Sequence, residues 1–233
     1  MSGTGPRAET GAPDRTGGGV PVRQLWARAW SLAAALVVFG SVYFFIRQFF
    51  KDGVWRFDLT LVDKPLGVTA LVLAAFSMAL TGLVYFGWAP GRRLAMRKYY
   101  GLAAFWTGLA HGIVNHGILP ATGLQTESGV GAWPAEAAGW AALAIFAVMA
   151  LISDDRVRLR LGNGRWRRLL RYAGYAGLVA AAGHAALLKW PSWDRYFRTF
   201  GSVLPSLSLP AALLAAVALL LRLAVWISRR RKA

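Results

Sequence analysis

The sequence predicts an all-α, polytopic membrane protein, a bundle of six transmembrane helices with both termini in the cytoplasm. Three observations predict this class. First, 56% of the 233 residues are hydrophobic, and they come in runs of about 20, the length that crosses roughly 30 Å of hydrocarbon. Second, nearly all cations flank these runs. Third, most tryptophans fall near the ends of the runs, as an interfacial aromatic belt does.

The elements follow in order along the chain. Residues 1–24 are rich in Gly, Pro, Thr and Arg and contain no apolar run, so we predict a disordered cytoplasmic tail. Residues 25–228 form the six-helix domain. Its predicted spans are residues 29–46, 66–88, 100–119, 138–152, 169–188 and 207–227. Residues 229–233 form a basic cytoplasmic carboxyl terminus.

Lysine and arginine predict the orientation, because short cytoplasmic loops collect them. Only seven of the 27 fall on the side opposite the termini: Arg47, Lys51, Arg56, Lys64, Lys189, Arg195 and Arg198. We therefore predict a multi-pass protein of the inner (plasma) membrane with both termini inside. Because the cations flank spans, the net charge of +17 indicates membrane topology and contact with lipid, and no nucleic-acid partner.

The composition also excludes several classes of cofactor and catalytic site. The chain has no cysteine, which excludes disulfides, Cys-ligated zinc, iron–sulfur clusters and covalently attached haem. It has no P-loop, no dinucleotide-binding fingerprint and no catalytic pair of carboxylates. Any haem in this protein is therefore b-type and held by non-covalent ligation.

All three histidines fall within predicted spans. His111 lies 13 residues after Lys98 in the third span, and His184 lies 13 residues after Arg171 in the fifth. At 1.5 Å per residue, each imidazole lies roughly 20 Å from its basic anchor. Because both spans start at the cytoplasmic face, they run parallel, and the two rings share one depth in the outer half of the bilayer. Glycines near both rings allow close helix approach and leave room for a macrocycle.

A histidine inside a span is a functional candidate, because its polar atoms cost several kcal/mol in hydrocarbon. We predict that His111 and His184 are the axial ligands of one haem iron. The alternative is a neutral histidine bonded to a backbone carbonyl or hydroxyl across the bundle. His116 lies roughly 140° around an α-helix from His111, so the two cannot face one haem in the same way. Its open roles are structural, a contact beside the haem or a quinone, or an outer metal ligand.

Two stretches carry a family resemblance. The first is RKYYGLAAFW at 97–106, followed by His111. The second is SDD at 153–155, RLG at 160–162 and RWRRL at 165–169, followed by His184. In this order they resemble the ferric reductase-like transmembrane domain family, and within it the haem-binding membrane subunits of periplasmic methionine sulfoxide reductase systems. The likeness covers residues 66–190.

The resemblance implies a six-helix bundle that binds haem b and passes electrons across the membrane. His111 matches the family's third-span ligand, and His184 matches its outer fifth-span ligand. The family commonly has a further histidine where this chain has Leu170, so the resemblance implies one haem, in the outer half. The 233 residues contain no FAD or nicotinamide domain. We therefore expect a separate donor, a flavin reductase or a quinol, and an acceptor at the outer face, such as a periplasmic protein.

Several functions stay open. A quinone or FMN is a further candidate cofactor. The aromatic and basic segment 189–198 is either the docking surface for the acceptor or an interfacial anchor. The alternative function is that of a haem-free structural or assembly protein, or a small transporter, which the leucine at position 170 favours. A third is a quinol-binding subunit with His116 as proton acceptor. Whether the chain is an enzyme or the electron-transfer component of an oxidoreductase system is open.

Overall fold

The structure is a computed structural model that describes residues 20–55, 57–124, 132–199 and 204–231. Within these ranges the chain is helical and contains no β-strand, which confirms the all-α prediction. The long helices are α1 (Val22–Asp52), α2 (Thr60–Tyr85), α3 (Met96–Ile113), α4 (Trp133–Ile152), α5 (Asn163–Thr199) and α6 (Ser208–Arg230). A 3-10 segment (Gly91–Ala95) precedes α3, and a short helix (Asp155–Leu161) precedes α5.

Each predicted span lies on one of these helices, but several boundaries differ. Helix α1 begins at Val22, so the last three residues of the predicted tail are helical; residues 1–19 lie outside the described residues. Helix α2 begins at Thr60, six residues before the predicted second span. The Asp58 side chain accepts a hydrogen bond from the Thr60 backbone N–H (2.9 Å) and starts the helix locally. This early start brings Asp63 into the bundle.

The end of α3 departs from α-helical geometry. The helix continues through a π-helical segment (Val114–Ile118) into a short α-helical segment (Leu119–Ala121). A π-helix forms i→i+5 hydrogen bonds and is wider than an α-helix. Side chains after Ile113 therefore point in directions that an α-helical spacing does not predict, and His116 is one of them.

Four helical stretches in the described ranges are long and apolar enough to cross a membrane: Val22–Lys51 in α1, and helices α2, α4 and α6. Large apolar side chains lie exposed on their outer faces, among them Val38, Phe39 and Val42 on α1, and Leu213, Val217 and Leu220 on α6. Such a surface suits lipid and would promote association in water. The chain therefore has the features of a helical membrane protein. Helices α3 and α5 do not meet the same criterion of length and apolar composition. The count of six spans therefore stays a prediction.

Helix α2 lies at the centre of the bundle and packs against α1, α3, α5 and α6. Glycines bring these helices close together. A Cβ added at Gly82 would lie 2.9 Å from the Leu221 Cβ on α6, and one added at Gly40 on α1 would lie 2.9 Å from the Pro65 Cβ. Small residues at helix interfaces are typical of membrane bundles. Lipid tails are as apolar as the side chains, so the hydrophobic effect does not drive helices together and close van der Waals packing must do so.

Contacts between helix ends give the relative directions of the helices. Arg97, at the start of α3, donates to the Thr81 hydroxyl near the end of α2 (3.1 Å). Gly174, early in α5, lies against Met78 near the end of α2 and Met149 near the end of α4. Helices α3 and α5 therefore start at the same end of the bundle and run parallel, and α2 and α4 run the opposite way.

Candidate functional site

A cavity of about 790 Å³ lies at the end of the bundle where α2 and α4 begin. Helix α3 packs mainly on α2, and α5 packs mainly on α4. Side chains from both helix pairs line the cavity, and all three histidines are among them. The volume lies within the range typical of cofactor and small-molecule sites. The structure thus brings together the three residues that the sequence singles out.

The His111 ring is held by the first turns of α2. Its Nδ1 lies 2.7 Å from Asp63 Oδ1 and 3.1 Å from the Asp63 carbonyl oxygen. Because both partners are acceptors, the neutral ring carries its proton on Nδ1 and donates it. The lone pair is then on Nε2. A Cβ added at Gly67 would lie 3.1 Å from this Nε2 and 3.2 Å from both adjacent ring carbons, so the missing side chain of Gly67 allows the face of the ring to lie directly against α2.

The sequence-based predictions missed two residues at this site. Asp63 is 3% exposed, and Asn115 Nδ2 donates to its Oδ2 at 3.0 Å. Asp63 was missed because it precedes the predicted second span and reads as part of a loop. Asn115 had a usable signal, since residues four apart share one face of a helix and Asn115 follows His111 by four.

The His184 ring is held by the first turns of α4. Its Nδ1 lies 2.7 Å from the Ala135 carbonyl oxygen, so Nδ1 carries the proton here too and Nε2 has the lone pair. A Cβ added at Gly139 would lie 2.8 Å from this Nδ1, so glycine allows the ring to lie directly against α4. This is the carbonyl bond that a purely structural histidine would make, but it uses only one of the two ring nitrogens.

His116 differs from the other two histidines in its contacts. It is exposed, it lines the same cavity, and its ring stands 5.1 Å from that of Trp140, tilted by 36°. The predicted separation of 140° from His111 assumes a continuous α-helix, and the π-helical segment breaks that assumption. His116 therefore lies at the cavity without a hydrogen bond that orients its ring among the contacts of the described residues.

The cavity is rich in positive charge. Five of the seven cations that the sequence assigns to the outer side line it: Arg47, Lys51, Lys64, Lys189 and Arg195. The acidic side chains in the lining are Asp63 and Glu136. Of the other two cations, Arg56 lies outside the described residues, and Arg198 pairs with Asp194 (2.8 Å). This excess of cations favours a ligand with acidic groups.

The predicted docking segment 189–198 has a different structure from the expected outer loop. It is the end of α5, which continues to Thr199. Trp193 is buried and donates to the Ser208 hydroxyl (3.1 Å), while Lys189 and Arg195 line the cavity. Because helical spacing distributes these side chains over several faces, the segment does not form one continuous aromatic and basic surface. Trp190 remains exposed and available as an interfacial anchor.

The opposite half of the bundle is tightly packed near Leu170. One turn beyond it, a Cβ added at Gly174 would lie 2.6 Å from the Met78 Cε and 3.2 Å from the Met149 Cε. A Cβ added at Gly177 would lie 3.1 Å from the Ile145 Cγ2. The space between α2, α4 and α5 at this level is therefore filled by side chains.

The number of metal-ligating side chains at the cavity limits the kind of metal centre it could hold. Within the described ranges, no group of three or more His, Cys, Asp or Glu side chains is arranged to hold a metal ion. A haem iron takes only two protein ligands, because the porphyrin supplies the other four. His111 on α3 and His184 on α5 are two candidate ligands of this kind that line one cavity.

Comparison with known proteins found no family model and no curated protein that matches this chain. The resemblance to the ferric reductase-like family therefore stays a prediction from the two motifs. The function has to be inferred from the cavity itself.

Proposed function

We propose that this protein is a membrane electron-transfer subunit that binds one haem b between α3 and α5, with His111 and His184 as the axial ligands. The proposal includes six spans, cytoplasmic termini and an inner-membrane location. One observation carries it. Both histidines donate their Nδ1 protons to fixed acceptors on neighbouring helices, and both rings line one cavity with Nε2 left as the lone-pair nitrogen.

This hydrogen-bond pattern is the one that orients ligating histidines. A ligating imidazole almost always donates its other N–H to a carboxylate, a backbone carbonyl or water, which fixes the tautomer and the ring orientation. His111 uses the Asp63 carboxylate, and His184 uses the Ala135 carbonyl. Because α2 and α4 hold these acceptors, both rings are oriented before any ligand binds.

The rest of the lining suits the remaining surface of a haem. Its apolar residues, including Val68, Leu71 and Phe146, exclude water from the macrocycle. A haem b also carries two propionate carboxylates, which Lys64, Arg47 and the other basic side chains of the lining can bind through charge-assisted hydrogen bonds.

When bound, haem supplies the one-electron redox chemistry. The protein orients it through His111 and His184 and tunes its potential through hydrogen bonding and burial. The packed methionines near Leu170 support a single site. Electrons would come from a separate donor, a flavin reductase or a quinol, and pass to an acceptor protein at the outer face.

The test is a dithionite-reduced minus air-oxidised spectrum of the detergent-purified protein, with a pyridine haemochrome assay for stoichiometry. We expect a low-spin b-type spectrum with about one haem per chain, since two histidines leave no open iron position. The variants His111→Ala and His184→Ala should lose the haem, and His116→Ala is the matched control that should keep it.

Full haem occupancy in His111→Ala or His184→Ala would contradict the assignment of ligands. A wild-type protein without haem, from cells that load a control haem protein, would exclude the electron-transfer function. It would favour the haem-free structural protein or transporter instead.

A further inference from the structure

The least expected group at the cavity is the carboxylate of Asp63. It is buried at the start of α2, and both of its oxygens are engaged: Oδ1 by His111 Nδ1 (2.7 Å) and Oδ2 by Asn115 Nδ2 (3.0 Å). An ionisable group buried in a membrane bundle is costly and is a functional candidate by default.

The two histidines differ in their acceptors. His184 donates to a neutral backbone carbonyl, whereas His111 donates to a carboxylate, which is a stronger acceptor. A carboxylate on Nδ1–H raises the basicity of the ligating nitrogen on the other side of the ring. A more basic ligand stabilises the more highly charged, oxidised state of a bound metal centre.

We propose that Asp63 is a positioning residue that fixes the Nδ1–H tautomer of His111 and lowers the reduction potential of the haem, and that Asn115 moderates this effect. The proposal rests on the proposed haem function. Asn115 holds the second carboxylate oxygen, so it fixes the Asp63 side chain and withdraws electron density from it. The two residues therefore act on the potential in opposite directions.

This opposition gives a test that a structural role would not pass. Asp63→Asn keeps a side-chain oxygen that accepts from Nδ1 but removes the charge, so the midpoint potential should rise. If loss of the charge weakens the stabilisation of oxidised over reduced haem tenfold, the midpoint potential rises by about 59 mV for this one-electron couple. Asn115→Ala leaves the carboxylate with fewer hydrogen bonds, so the potential should fall. Asp63→Ala removes the carboxylate and leaves only the backbone carbonyl at 3.1 Å as acceptor, so it should weaken haem binding roughly 10- to 100-fold.

A second readout does not need haem. Nitrogen-15 NMR of the histidine rings in haem-free protein should show His111 as the Nδ1–H tautomer in the wild type and in Asp63→Asn. In Asp63→Ala only the backbone carbonyl still accepts from Nδ1, so the Nε2–H form should gain population relative to the wild type. Glu136→Gln is the matched control, because it removes a second cavity carboxylate that makes no hydrogen bond to a histidine among the described contacts. It should leave the tautomer unchanged and shift the potential less than Asp63→Asn.

The outcomes separate the two proposals. A haem-bound wild type whose potential is the same in Asp63→Asn, or moves in the same direction in Asn115→Ala, would overturn the role of Asp63 and leave the haem function intact. An Nε2–H tautomer in the wild type would do the same. Absence of haem from the wild type, with the expected tautomer pattern, would overturn the haem function and the effect on potential together.

Discussion

A single methyl group at Gly67 should disturb the His111 ligand without removing it. In the structure, a Cβ at position 67 would lie 3.1 Å from His111 Nε2 and 3.2 Å from both adjacent ring carbons. Ordinary contacts between such atoms begin near 3.5 Å, so the ring would have to move by about 0.4 Å. It cannot move freely, because its Nδ1 is bound at 2.7 Å to Asp63.

A ligand displacement of this size matters because functional sites must be held to within about 0.5 Å of their working geometry. We expect Gly67→Ala to weaken haem retention about tenfold, or about 1.4 kcal/mol. The backbone should not suffer, since replacing glycine by alanine inside a helix is favourable by roughly 0.5–1 kcal/mol. Loss of haem with an unchanged or higher unfolding temperature of the haem-free protein would therefore locate the effect at the ring.

The matched control is Gly108→Ala on α3. This glycine lines the same cavity, but its added Cβ would meet the Ala70 Cβ at 3.5 Å, an ordinary contact. The assay is a haem titration of both purified variants, followed by visible spectra of the oxidised and reduced forms. Equal affinity and identical spectra in the two variants would refute the inference that the position of the His111 ring against Gly67 controls ligation.

The remaining predictions concern packing and charge. Gly82→Ala should lower the free energy of unfolding by about 1–3 kcal/mol, because its Cβ would lie 2.9 Å from the Leu221 Cβ. Thermal unfolding in detergent measures this change. A stability equal to that of Gly108→Ala would contradict the close packing of α2 on α6. Trp166→Phe should cost about 1 kcal/mol, since Trp166 Nε1 donates to the Ile152 carbonyl at 2.7 Å; an unchanged unfolding temperature would show that this bond adds nothing. Lys64→Gln and Lys189→Gln should each weaken haem retention by up to about 1 kcal/mol, whereas Arg198→Gln, whose cation pairs with Asp194, should not; equal effects in all three would exclude a specific role of the cavity lining.

The sequence predicts the helices well because their signal is local. An apolar run of sufficient length, flanked by cations, is read from consecutive residues, and each predicted span lies on a helix. The sequence also predicted that His111 and His184 lie at one depth. That prediction needs only the rise per residue of a helix and the alternating direction of successive spans, and both residues line one cavity. The π-helical segment was not predicted, because a wider turn leaves no mark in the hydrophobic pattern, and the direction of His116 relative to His111 depends on that turn.

The sequence by itself determined that this chain is all-helical, apolar enough for a membrane, free of cysteine chemistry and limited to three histidines. Only the tertiary structure decided which groups surround those histidines. Asp63, which accepts from His111, is 48 residues away from it in the sequence, and Ala135 is 49 residues away from His184. Such contacts depend on how each helix is rotated against its neighbours, and helix rotation follows from packing at glycines such as Gly67 and Gly139. That is a property of pairs of helices, which no single stretch of sequence contains.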